Sequence, residues 1–148
     1  MSGKSRTVTF RERPRTATIV LDLGIAATTI DHLSGPHCVV VELNSGAGRW
    51  VLVNQYYQFE DPVHTHLEKT DAGFREFADV PAVLAADVNA KSVMWNSPYN
   101  DERGEDLQLL VQELGLQVEN SPGGPPTFEG RAGAAFYIDV TFSDSERP

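Results

Sequence analysis

The stretch that most constrains the fold is Val83-Leu84-Ala85-Ala86-Asp87-Val88-Asn89, an apolar run that ends on a carboxylate and a carboxamide two positions apart. A small polar turn and Trp95 follow it. A short, continuous apolar run bounded by turn residues reads as a buried strand. Side chains alternate across a strand, so Asp87 and Asn89 project to the same side if the extended geometry persists. An Asp and an Asn aimed together at a strand end can hold a water, a metal or a phosphate oxygen, and the rest of the chain has to decide among them.

The flanking segments supply the sheet and its cover. Residues 16–23, 37–43 and 49–59 are rich in β-branched and aromatic residues and read as strands, with the turn cluster at 44–48 joining the last two as a hairpin. From Asp61 the pattern turns helical, with Pro62 suited to the first helical position and Val63, Leu67, Phe74 and Phe77 able to share one face. A second helix runs through 102–115, where Leu107, Leu110, Val111 and Leu114 follow the helical repeat, Asp101 stands at the N-cap and Gly115 at the C-terminal stop. A Pro/Gly-rich loop at 121–128 leads to a last strand over 134–142. Neighbouring strands early and strand–helix alternation later predict an α/β sandwich, two sheets inside and helices outside.

Composition narrows the class. At 148 residues, with 41% apolar and 22% charged residues, the chain has one domain's worth of ordinary globular composition. Cys38 is the single cysteine, which excludes an internal disulfide and fits a reducing, intracellular compartment. No stretch is long and apolar enough to span a bilayer. The net charge of −9 argues against a general polyanion-binding surface. Only residues 1–15 are basic, with Lys4, Arg6, Arg11, Arg13 and Arg15 against Glu12. Residues 1–14 are therefore expected to be a basic arm without regular structure, residues 15–143 one domain and residues 144–148 a tail.

Four places put polar groups at strand ends: Asn54 to Tyr56, Asp87 with Asn89, Asp139 within an apolar strand, and the carboxylates near Asp61. Tyr56 by itself fits a core-edge tyrosine. Asp139 is harder to dismiss, because a buried carboxylate is costly unless it is paired. His64 and His66 are two apart and on a helix do not share a face, which disfavours a metal site there. His32 and His37 flank a turn, and Arg103 reads as helix-start chemistry rather than phosphate binding.

Taken together, the order of a strand ending in Tyr, a helix, an apolar strand with Asp-x-Asn, a second helix and a late Ile-Asp resembles the endonuclease/exonuclease/phosphatase superfamily. The finer text, residues 32–43, 56–62, 85–107 and 125–142, is similar to the apurinic-type endonuclease domain of R1-like insect non-LTR retrotransposons. The resemblance covers roughly residues 15–142. It implies a Mg²⁺-dependent endonuclease that nicks DNA, works in the nucleus and is joined to a reverse-transcriptase segment. By the same resemblance Asp87 orients or deprotonates the attacking water and Asn89 binds the scissile phosphate and fixes Asp87. Tyr56 touches the phosphate or leaving oxygen, and Asp139 supports a catalytic histidine. Phosphodiester cleavage needs such a positioned water, a base and neutralisation of developing charge.

The family's metal-binding Glu, which ends an earlier strand, and its closing Asp-His have no match in this sequence, where Ser143-Asp144 offers no histidine. Phe136 also stands where the family has a small polar residue. The resemblance thus leaves the metal ligands unknown and implies either an endonuclease domain inactive in this form or a non-catalytic retroelement remnant or interaction module. Loss of part of the sheet further implies an uncovered edge or apolar face.

Overall fold

The computed structural model describes residues 5–144. At its centre is a six-stranded mixed sheet built around the expected hairpin. Strand β4 (Cys38–Ser45) and strand β5 (Gly48–Tyr56) pair antiparallel through a turn at Gly46-Ala47. From the end of β5 the chain crosses over through helix α1 (Val63–Glu76) into strand β6 (Ala82–Asp87), which lies parallel to β5. Helix α2 (Glu102–Glu113) then leads to the short strand β7 (Gln117–Val118), and strand β10 (Asp139–Ser143) inserts antiparallel between β6 and β7. Strand β3 (Ala26–Thr29), at the other edge, was not foreseen in the sequence.

Local chemistry explains both helices. Asp101 accepts from the Gly104 amide at 2.7 Å, the N-cap bond the sequence called for. At the far end Gly115 adopts φ +66°, with Leu116 N–H bonded to Val111 O and Gly115 N–H to Gln112 O, a Schellman stop. Pro62 differs from expectation: at ψ 130° it is the N-cap of α1, one place before the first helical residue. Helix α1 turns Val63, Leu67 and Phe74 inward, with Phe77 partly buried, and α2 buries Leu107, Leu110 and Val111. Both cover one face of the sheet, against Val40, Val51, Val53, Leu84, Val140 and Phe142.

On the other face lies a second β layer, consisting among the described residues of strands β1 (Arg6–Thr9) and β2 (Ala17–Val20). The basic arm expected to lack regular structure thus contributes a strand from residue 6 on, while residues 1–4 lie outside the described residues. The reason is alternation: Val8 points inward beside Val20 onto Val39, Val41 and Leu43, while its neighbours Thr7 and Thr9 face out. It is not a central strand, since it pairs only with β2. Outward from this ribbon Ile19, Leu21 and Leu23 are exposed, an uncovered apolar strip.

The last strand is also divided. Residues 134–142 do not form one run: Ala135–Phe136 (β9) pairs with Phe128–Glu129 (β8) as a separate ribbon, and β10 starts only at Asp139. Thr127 sits at the break, where its hydroxyl oxygen accepts both the Ile138 and the Asp139 amides at 3.0 Å. Asp144, read as the start of a tail, is buried and accepts the Ala82 amide at 2.9 Å, and residues 145–148 lie outside the described residues. Among the described residues no helix is long and apolar enough to cross a membrane.

Candidate active site

Because β5 and β6 are parallel, their C-terminal ends reach the same rim of the sheet, and antiparallel β10 begins there. Register then aligns three residues: Tyr56 is the cross-strand partner of Asp87, and Asp87 is the partner of Asp139. Gln55, Ala86 and Val140, their neighbours in sequence, are buried. By the period of two, Tyr56, Asp87 and Asp139 therefore share the face away from the helices. They line one cleft of about 430 Å³ together with Arg15, Asn54, Ala85 and Thr141. Asn54 closes a side of it, donating to Ala17 O at 2.8 Å and so tying β2 to the sheet.

Asn89 behaves differently from the simple strand picture. Its φ is +41°, so the extended geometry does not persist past Asp87. The backbone amide of Asn89 turns back to donate to Asp87 Oδ1 at 3.2 Å, and the carboxamide Nδ2 donates to Tyr57 O at 3.0 Å. Asn89 thus fixes Asp87 through its main chain and ties the loop to the end of β5 through its side chain.

The Asp87 carboxyl is held above the ordinary aspartate range, chiefly by burial, against the opposing amide of Asn89 and with added repulsion from the Asp139 charge. Asp139 itself is exposed, and its backbone is pinned on both sides by Thr127 and by Asn120, whose Nδ2 donates to Asp139 O at 3.0 Å. Two carboxylates thus stand at paired positions of adjacent strands, Asp87 half-buried and Asp139 exposed. Mg²⁺ is commonly held by one or two carboxylates, with waters and phosphate oxygens filling the rest of its shell. Asp87 and Asp139, paired across β6 and β10, are the carboxylates on this rim that would contribute to such a site, although no group of three or more acidic, His or Cys side chains able to hold a metal lies among the described residues.

Beneath the rim runs a buried polar network. Thr70 donates its one hydroxyl proton to Gln55 Oε1 at 2.6 Å, so Tyr57 is the donor to Thr70, and Gln55 Nε2 donates to His66 O at 2.8 Å. His66 is fully buried, stacked on Tyr57 with ring centroids 5.4 Å apart and 3.2 Å from Asp61 Oδ2. Burial, the leading cause, pushes its pKa down, and the Asp61 carboxylate opposes that shift. His64, by contrast, is on the exposed side of α1, so the two histidines diverge as their spacing predicts. His37 precedes β4, where its ring lies 6.0 Å from that of Tyr56 and its Nε2 is 2.8 Å from Gln58 Oε1. None of the four histidines lines the cleft.

Arg103 holds more than the start of α2. Its guanidinium donates to the carbonyls of Asn89 at 3.1 Å, Asp61 at 2.8 Å and Gln58 at 3.3 Å, stapling the loop after β5 to the loop after β6. Gly104 allows this: an added Cβ would fall 1.8 Å from Lys91 O. The sequence signals for these roles were weak, since an Arg-Gly pair in a first helical turn is unremarkable without the contacts.

The sequence profile described as "Endonuclease-reverse transcriptase" matches residues 50–147. The chain is 29% identical over 141 aligned positions to the "Putative 115 kDa protein in type-1 retrotransposable element R1DM" of Drosophila melanogaster, covering 89% of this chain and 14% of that protein. The present chain therefore spans a small part of that relative. Among solved structures it is similar to the "Endonuclease domain of TRAS1, a telomere-specific non-LTR retrotransposon", with a TM-score of 0.85 and 27% identity over 95% of this chain and 67% of that one. An endonuclease/exonuclease/phosphatase family protein from Bacteroides thetaiotaomicron shares the fold, at a TM-score of 0.60 and 10% identity, over 95% of this chain and 61% of that one.

Proposed function

Because this chain belongs to the Endonuclease-reverse transcriptase family, as a retrotransposon endonuclease domain, we propose that it forms part of the centre that nicks DNA by phosphodiester hydrolysis. The observation that carries the reading is the row Tyr56–Asp87–Asp139 across three adjacent strands, facing one cleft. Asp87 is the general base: its raised pKa makes it a better acceptor for the proton of an attacking water, and the Asn89 amide fixes one oxygen so that the other is aimed. Tyr56 would donate its hydroxyl proton to a phosphate or leaving oxygen. Asp139 keeps the carboxyl of Asp87 basic by like charge and stands ready to orient a further group.

Mg²⁺ is the cofactor expected of such a domain, and when bound it would neutralise charge on the phosphate. Asp87 and Asp139 would hold the ion, with water and phosphate oxygens completing the shell, and a reverse-transcriptase segment is the partner expected in the same polypeptide. DNA as substrate and the nucleus as its place of action follow from the same retrotransposon reading. On this reading residues 1–148 on their own are inactive in nicking; the second reading is a non-catalytic retroelement remnant or interaction module.

A plasmid-nicking assay with Mg²⁺ tests this, on the 148-residue chain and on a version lengthened at both ends from the parent polypeptide. The lengthened version should nick, and Asp87→Ala should lower its rate by about 10²-fold or more with DNA affinity little changed. A lengthened Asp87→Ala variant as fast as its parent would remove Asp87 from the mechanism.

A further inference from the structure

Beside the Asp87 rim runs a line of aromatic rings and cations that the hydrolytic centre does not use. Phe59 is 66% exposed, Tyr99 53% and Phe128 50%, an unusual amount of large apolar surface left in water around one rim. The rings are interleaved with positive charge. Arg103 Cζ lies 5.7 Å from the Phe59 centroid, and Lys91 Nζ lies 4.9 Å from that of Tyr99 and 5.1 Å from that of Phe136. Phe136 and Phe128 continue the line with centroids 6.0 Å apart and planes tilted by 37°.

These residues are tied to the loops that carry the site. Arg103 is bonded to Asn89 O, Lys91 follows Asn89 by two residues, and Thr127, next to Phe128, holds the Asp139 amide. Neither Arg103 nor Lys91 is ion-paired to a carboxylate among the described residues, although the chain as a whole is strongly acidic. The Lys91 ammonium is instead fixed by Tyr99, 2.7 Å from its hydroxyl. Apolar faces with uncompensated cations between them match a ligand that alternates flat π-systems with negative charge.

We infer that Phe59, Tyr99, Phe128 and Phe136, with Lys91 and Arg103, form a stacking platform for unstacked DNA bases next to the scissile phosphate, the cations meeting the adjoining backbone. The inference rests on the DNA-nicking reading and deepens it. In an intact duplex the faces of the bases are covered, so the platform takes bases that are frayed, flipped or single-stranded. Because every base has a π-face, it gives affinity with little sequence preference. Arg103 has its NH and NH₂ groups engaged by carbonyls, so Lys91 is the freer of the two for phosphate.

The test measures fluorescence anisotropy of two labelled oligonucleotides, single-stranded oligothymidylate and an abasic strand of equal length, on the 148-residue chain. The base-bearing strand should bind about ten-fold tighter or more, and Phe59→Ala or Tyr99→Ala should each weaken it about five-fold or more while leaving the abasic strand unchanged. Lys91→Gln should weaken both strands alike and flatten the salt dependence. Both aromatic positions are exposed, so the variants should melt as the parent does. Equal binding of the two strands, aromatic variants indistinguishable from the parent, or no binding of either strand would overturn the platform. Nicking by the lengthened version that is lost in Asp87→Ala but untouched in Phe59→Ala would sink the platform and leave the hydrolytic reading standing.

Discussion

The two faces of the central sheet make different demands on the same strands. Under the helices every inward residue of β6 and β10 is apolar and closed off: Leu84 and Phe142 have no exposed surface, and Phe142 meets Trp95 edge to face at 5.8 Å. On the other face the same two strands present Val83, Ala85 and Asp87 beside Asp139, Thr141 and Ser143, none of them buried. The β1–β2 ribbon covers that face only over β4 and its neighbours. Burial stabilises the fold from one side, while the second side keeps small and polar residues where a carboxylate pair can meet a ligand. Stability and chemistry are thus separated by strand alternation, not by distance.

The largest test of this division substitutes adjacent residues of β10. Phe142→Ala should cost about 3–5 kcal/mol of unfolding free energy through the cavity it leaves. Thr141→Ala, one residue away and on the open face, should stay within about 0.5 kcal/mol. Denaturant titration of both variants measures the contrast. Comparable losses would mean that the open face is packed as tightly as the helical one.

A smaller effect is expected where the site's loops meet α2. Gly104→Ala forces a methyl group into Lys91 O, and the loop carrying Asn89 and Lys91 must move away from the helix. The cost is that of overpacking, about 1–3 kcal/mol. The displacement should also appear as altered NMR shifts at Asn89 and Asp87, with those of β4 unchanged. Shifts spread evenly over the sheet would argue that α2 and not the loop gives way.

What could be read from sequence was what short-range chemistry decides. Asp101, Gly115 and the repeat of Leu107, Leu110 and Val111 fix α2 within its own residues, and the apolar run into Asp87 fixes β6. The order of these elements carried the family and the fold. What escaped depends on partners far along the chain. Strand β1 is legible only once Val39 and Val41 offer Val8 a place, and β3 is a run of small residues held by β4. The break before Asp139 depends on Thr127, eleven and twelve residues from the amides it accepts. The same holds at the site. Asp87, Tyr56 and Asp139 were visible as polar groups in apolar strands, but the left-handed turn at Asn89 and the reach of Arg103 to the carbonyls of Gln58, Phe59, Asp61 and Asn89 arise from how two loops meet.

The smallest predicted effect is opposite in sign, and it probes the open face directly. The pKa of Asp87 is raised in the folded chain, so the folded state holds its proton at pH values where the unfolded state has lost it. That contribution to stability is complete below the ordinary aspartate pKa and is lost as pH rises through the raised value. At neutral pH the ionised, half-buried carboxylate beside Asp139 is therefore a cost to the fold. Asp87→Asn removes the charge while keeping an oxygen that can accept the Asn89 amide, so it should raise the thermal midpoint modestly at neutral pH. The gain should shrink as pH falls through the ordinary aspartate range, because the parent then carries a neutral carboxyl as well. A midpoint that drops at neutral pH would mean that the bond from Asn89 to the charged form outweighs burial and the repulsion from Asp139. A gain at neutral pH in a variant expected to lose nicking would place Asp87 among residues retained for chemistry at the expense of stability.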